Sequence, residues 1–216
     1  CCVPTAECGS FFGYTDIMLH SEQTDEILTA SEYDLVSAVT ASMGDISLLA
    51  LDIVRNSLEA CATEIELNVN ETDDSTTVMI KDNGKGIEKP ADALSILYTS
   101  RKTRRVGMGL PIFRAKAEMT GGVFGFTSNT GADHGTVVSA VFMKNGKGSI
   151  PIGRMPETVV SIVSGLGDSD LRFAHTLHEK VVTLDTHDIR DILGGTPLSM
   201  PTVLKWIGEY LTEQYE

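Results

Sequence analysis

Asp52, Asn56 and Glu59 recur at i, i+4 and i+7 inside an otherwise apolar segment, and no feature constrains the fold of this chain more. At about 100° per residue, Ile46, Ala50, Leu51, Ile53, Val54, Leu58 and Cys61 fill one wide arc. The three polar residues share the opposite arc. The spacing predicts a helix over residues 44–62. Its apolar arc must pack on a sheet, and its polar arc projects into a site. Cys61 closes the apolar arc and is expected as a reduced core residue.

The sheet follows in sequence. Ile65, Leu67 and Val69 alternate with polar residues, and so do Val78 and Ile80. A polar turn over 70–75 joins these two strands. Asp82 therefore falls at a strand end, followed by a glycine turn. Residues 111–119 read as a helix stopped by Gly121-Gly122. Residues 123–127 and 136–143 read as a hairpin. After residue 146 the pattern predicts a helix at 156–164, a strand or hairpin at 171–184, and helices at 186–193 and 200–213. The expected fold class is α/β, built as an α+β two-layer sandwich with a mixed, mostly antiparallel sheet covered on one face by helices. Three regions are expected: an N-terminal extension over 1–42, a central domain over 43–146, and a small α/β appendage over 147–216. Within the extension, residues 25–41 have helical patterning.

The net charge of −13 over 216 residues argues against a chain that grips DNA or RNA through phosphate contacts. A hydrophobic content of 42% with 22% charged residues suits a globular protein. No apolar run approaches a membrane span, and a secretion signal is not expected from the opening residues. With only four cysteines, a cytoplasmic location is the expectation. Cys1, Cys2 and Cys8 cluster, but their spacing matches no common zinc or iron–sulfur scheme.

Three motifs carry the functional signal. They are Asp52-Ile-Val-Arg-Asn56-Ser-Leu-Glu59-Ala, Ile80-Lys-Asp82-Asn83-Gly84-Lys-Gly86-Ile, and Val106-Gly107-Met-Gly109-Leu110-Pro. A fourth piece, His134-Gly135-Thr136, sits where a closing strand is expected. The set resembles the GHKL ATPase superfamily: gyrase-type topoisomerases, ninety-kilodalton heat-shock chaperones, histidine kinases and MutL proteins. The stretch 56–63 reads like MutL, and 99–111 like a sensor histidine kinase. More narrowly, residues 43 to 213 resemble small sensor-less bacterial ATPases of the histidine-kinase type, often encoded near iron hydrogenase genes.

The resemblance implies a Bergerat-type ATP-binding fold with ATP and Mg2+ as cofactors. It implies that Asn56 offers its amide oxygen to the metal, which favours few protein oxygens. Asp52 lies where the ATPase branches carry a Glu that activates water. It is either that base, one methylene shorter, or a solvated helix-face carboxylate. Glu59 reads as structural, orienting Arg55 or a lid residue. Asp82 would accept the adenine amino group, since a carboxylate only accepts. Gly84 and Gly86 permit positive φ and close approach to the base, with Ile87 beside them. Thr136 either supports Asp82 and a bound water or is a plain strand threonine.

Gly107, Met108, Gly109 and Leu110 open the helix at Pro111, where free N–H groups suit phosphate. Lys102 and Arg104, with Arg101 and Arg105, form the dense basic cluster of an acidic chain. They read as phosphate contacts in a lid, with Lys102 in a catalytic role, or else as a solvated or docking patch. His175, His178 and His187 with Asp185 and Asp188 lack a common metal spacing. They read better as a polar hairpin and a helix start, with Asp185 or Thr186 as N-cap.

His20 has no phospho-acceptor hairpin around it, so a complete self-phosphorylating kinase is not expected. Three readings remain: an ATPase or nucleotide switch that acts on a protein partner or donates phosphoryl to it, a trans-acting serine kinase of anti-sigma type, and a MutL-like repair ATPase. The expected partners are ATP and a protein or phospho-acceptor, with no nucleic acid and no membrane; a homodimer is possible.

Overall fold

The computed structural model describes residues 44–89, 93–94, 109–146 and 148–216. Helix α1 spans Ile46–Glu59. Asp45 caps it, its side chain accepting from the Leu48 N–H at 2.9 Å. Two more first-turn donors are satisfied by the tail: Ile46 N–H reaches Pro151 O and Ser47 N–H reaches Ile152 O, at 3.0 and 2.8 Å.

The helix ends three residues before the sequence-based boundary. Cys61 adopts φ 60°, its N–H bonds Leu58 O, and the Ala62 N–H bonds Ser57 O. This is a Schellman closure with cysteine in the left-handed position. The closure turns Cys61 outward, so it is exposed rather than in the core. Buried Ala62 takes the inward place.

Strands β1 (Glu64–Glu71) and β2 (Ser75–Asp82) form the expected hairpin. Ile65, Leu67, Val69, Val78 and Ile80 are buried, as their alternation requires. Helix α2 covers Gly109–Met119. Strands β3 (Phe124–Asn129) and β4 (Gly135–Met143) form the second hairpin. The tail contributes α3 (Met155–Gly165), β5 (Asp170–Leu177), β6 (Lys180–Asp185), α4 (Thr186–Leu193) and α5 (Pro201–Tyr215).

Among the described residues, six strands form one sheet, ordered β3-β4-β2-β1-β5-β6. Only β1 and β5 run parallel; the other pairings are antiparallel. The tail read as an appendage thus extends the central sheet. Helices α2, α1, α3 and α5 pack side by side, with α2 over β3 and β4, α1 over β2, and α5 over β6. The fold is the expected α/β sandwich, and its core lies between the helix layer and the sheet. One consequence positions the site: the C-terminal ends of α1 and β2 meet, with Asp82 paired across the sheet to Thr136.

Candidate functional site

Asp82 is the anchor of the site, with 9% of its surface exposed. Its Oδ2 accepts from Ser57 Oγ at 2.7 Å, and its Oδ1 accepts from the Gly84 N–H at 2.9 Å. Both oxygens of a buried carboxylate are therefore held, as burial of such a group requires.

The loop after Asp82 is tied down from several sides. Asn83 Oδ1 accepts from the N–H groups of Thr63 and Glu64, and Asn83 Nδ2 donates to Thr63 Oγ1. Lys85 N–H donates to Ala60 O. His134 Nδ1 lies 2.8 Å from Gly84 O; a carbonyl only accepts, so Nδ1 carries the proton. Gly86 takes the expected positive φ, 71°. Gly84 is not among the positive-φ glycines. Its constraint is space: a Cβ there would lie 2.9 Å from Ala60 Cβ and 3.0 Å from Asp82 Oδ1. The close approach at Gly84 is to the chain itself.

Thr136 faces Asp82 across β2 and β4. Its Oγ1 lies 2.9 Å from Ser128 Oγ, which also receives the Ile87 N–H at 2.8 Å. These hydroxyls fasten the loop after β2 to the β3–β4 hairpin.

Asp52 and Asn56 meet the start of α2. A Cβ on Gly109 would strike Asp52 Oδ2 and lie 3.2 Å from Asn56 Nδ2. Partial burial is the main influence on Asp52 and raises its carboxyl above the ordinary range; Arg55 opposes this and Glu59 adds to it.

A cavity of about 560 Å3 joins these groups. Of the residues expected from sequence, Asn56, Asp82, Gly86, Ile87, Gly109, Leu110 and Thr136 line it. Asp52 reaches its edge through Gly109, and Gly84 stands behind Asp82. Glu59, expected as structural, also lines it. Lys102, Arg104, Gly107 and Met108 lie outside the described residues, as do Arg101, Arg105 and the whole segment 1–42.

Ser57 is the residue missed in the sequence. Its signal was present: it is a polar side chain in the middle of the apolar arc of α1, where burial demands a partner. Lys85 and Lys89 also line the cavity, but nothing in their pattern distinguishes them from surface lysines.

The three tail histidines do not converge. His175 meets Glu71 and Tyr215, His178 meets Asp73, and His187 meets Glu64. Asp185 caps α4 by accepting from the His187 N–H at 2.9 Å. Glu64, Asp170 and His187 lie close enough to suggest a metal. However, Arg190 and Thr186 already hold Asp170 at 2.9 and 2.7 Å, and Arg172 lies 3.5 Å from Glu64. The cluster is an ion-paired polar network.

One helix layer on a mixed sheet, with a polar helix face and a strand-end carboxylate meeting at a cavity, defines a two-layer Bergerat-type sandwich. Residues 44–146 match the family described as "Histidine kinase-, DNA gyrase B-, and HSP90-like ATPase", and this segment is a domain of that family. No curated protein matches the chain. A solved structure titled "Crystal Structure of N terminal domain of a DNA repair protein" is similar at 15% identity and a TM-score of 0.47, over 71% of this chain and 58% of that one. Among the described residues, no helix is long and apolar enough to cross a membrane.

Proposed function

We propose that the 44–146 domain binds Mg-ATP and that the chain works as an ATPase or nucleotide switch for a protein partner. The observation that carries this reading is the placement of Asp52 and Asn56 against Gly109 at one side of a cavity that Asp82 lines elsewhere. ATP needs such a site, with a purine-reading acceptor at one end and a metal ligand and base at the other.

In this reading Asp82 accepts the adenine amino group. Thr136 and Ser128 brace the adjoining loop. Asn56 lines the cavity and stands beside Asp52 at Gly109; its amide oxygen would hold Mg2+, which neutralises phosphate charge. Asp52 takes the proton of the attacking water, a task helped by a carboxyl pKa raised through burial. Lys102, Arg104, Gly107 and Met108 are assigned to the phosphates on sequence grounds.

Calorimetry tests the reading. Wild type should bind ATP more tightly with magnesium, and Asp82→Asn should lose at least about tenfold in affinity, since the amide puts a donor where the ligand also donates. Absence of ATP binding by wild type, or an unchanged affinity in Asp82→Asn, overturns it. The phosphoryl-donor alternative, to a partner histidine or serine, uses the same pocket. It differs in one readout: labelled phosphate would appear on a protein rather than in solution.

A further inference from the structure

Ser57 is buried, with 3% of its surface exposed, yet it lines the cavity beside Asp82. A serine hydroxyl has one proton to give and two lone pairs to receive. At 2.7 Å from Asp82 Oδ2, that proton goes to the carboxylate, which has none to offer in return. The other acceptor in reach, Ile53 O, is much farther at 3.4 Å. Asp82 Oδ1 is meanwhile fixed by the Gly84 N–H. Two neighbouring side chains on the cavity wall thus present acceptors only.

We infer that Ser57 is a specificity-determining residue, whose committed proton makes this end of the pocket select a 6-amino purine over a 6-keto purine. The inference rests on the nucleotide reading above. A 6-amino group brings two protons to two acceptors. A 6-keto oxygen brings only lone pairs and leaves both acceptors unpaired at desolvation cost.

Thr136, the other hydroxyl facing Asp82, cannot enforce this choice. Ser128 Oγ lies 2.9 Å from Thr136 Oγ1 and 3.2 Å from Gly135 O, so its proton can go to either. Thr136 can therefore turn donor or acceptor, and it tolerates both purines. Of these two hydroxyls, Ser57 alone has its proton pinned by a carboxylate.

The test is competition of ATP and inosine triphosphate against trinitrophenyl-ATP on the full chain, with magnesium present. Ser57→Ala should weaken ATP about tenfold, the loss expected for a hydrogen bond to a charged group and an acceptor. Inosine triphosphate should stay within about twofold, which also shows that the pocket remains folded. Ser57→Thr keeps the hydroxyl and should restore the preference for ATP. A Ser57→Ala protein with the wild-type ATP-to-inosine preference overturns the inference, whether both affinities stand or both fall together, and leaves the nucleotide site in place. Wild type that binds neither nucleotide overturns the site and the inference with it.

Discussion

Gly109 leaves no room for a side chain, because the Asp52 carboxylate occupies the position a Cβ would take. Asn56 Nδ2 would lie 3.2 Å from the same Cβ. The start of α2 and the polar face of α1 are therefore fitted to each other through this one residue. Gly109→Ala should push Asp52 and Asn56 off their positions. Misplacement on the scale of an ångström costs catalysis about a hundredfold. We expect magnesium-dependent ATP turnover to fall by that order, with a melting temperature within a few degrees of wild type. Paired turnover and melting measurements check this. Unchanged turnover would show that the approach at Gly109 has no part in the chemistry.

Asp52 links activity and stability with opposite signs. Burial raises its carboxyl above the ordinary value of 3.8. If Asp52 is the proposed base it must be ionised, so the acid limb of the turnover profile should lie above that value and disappear in Asp52→Asn along with most activity. Its effect on folding runs the other way. The folded state holds the proton more tightly than the unfolded state, so stability is lost as pH rises from the unfolded value through the raised folded one. Asp52→Asn should therefore melt higher than wild type at pH 7, with the gap closing in acid. Melting curves at several pH values decide it, and a variant that melts lower at pH 7 contradicts the burial argument.

The helix and its site face were legible because side-chain spacing alone sets which residues share an arc. Spacing put Asp52 and Asn56 on that face, and strand alternation put Asp82 at the end of β2. The sheet's extension was not. The pairing of β1 with β5 is parallel and joins Ile65 to Leu171, a contact across a hundred residues of chain that no turn residue announces. Cys61 was misplaced because periodicity continues an arc past the point where hydrogen bonding ends the helix. Ser57 was missed because the apolar arc was read for its apolar members.

His175 has 1% of its surface exposed and sits between α5 and the sheet. Glu71 Oε1 lies 3.1 Å from its Nε2 and Tyr215 Oη 2.6 Å from its Nδ1. A carboxylate only accepts, so Nε2 carries the proton and Nδ1 accepts from the tyrosine. Lys144, 2.9 Å from Glu71, is the remaining charge at this cluster. Burial is the main influence and holds the imidazole below its ordinary value of 6.5, against the pull of Glu71. The stability gained from neutral His175 is present above the unfolded value and is lost as pH falls through the folded one. Tyr215→Phe leaves Nδ1 without a donor and should cost about 1–3 kcal/mol in urea unfolding. ATP affinity should not change, because the cluster lies at the opposite end of β1 from Asp82's partner Ile65. A loss of ATP binding in this variant would mean that α5 and the nucleotide site are coupled.

Cys61 holds the left-handed conformation that usually falls to glycine, with φ 60°. A residue with a Cβ pays roughly 1–2 kcal/mol for that backbone region. The sulfur returns little of this, since the side chain is exposed. Glycine keeps both closing hydrogen bonds, from Cys61 N–H to Leu58 O and from Ala62 N–H to Ser57 O. Its greater freedom in the unfolded chain offsets part of the gain. Cys61→Gly should therefore raise unfolding stability by about 0.5–1 kcal/mol. The closing bond at Ser57 O holds the last turn of α1, which carries Asn56 and Ser57 into the cavity. ATP affinity in Cys61→Gly should accordingly match wild type. A destabilised variant would show that the thiol makes packing contacts outweighing the backbone strain, and urea unfolding with an ATP titration on the same sample separates the two.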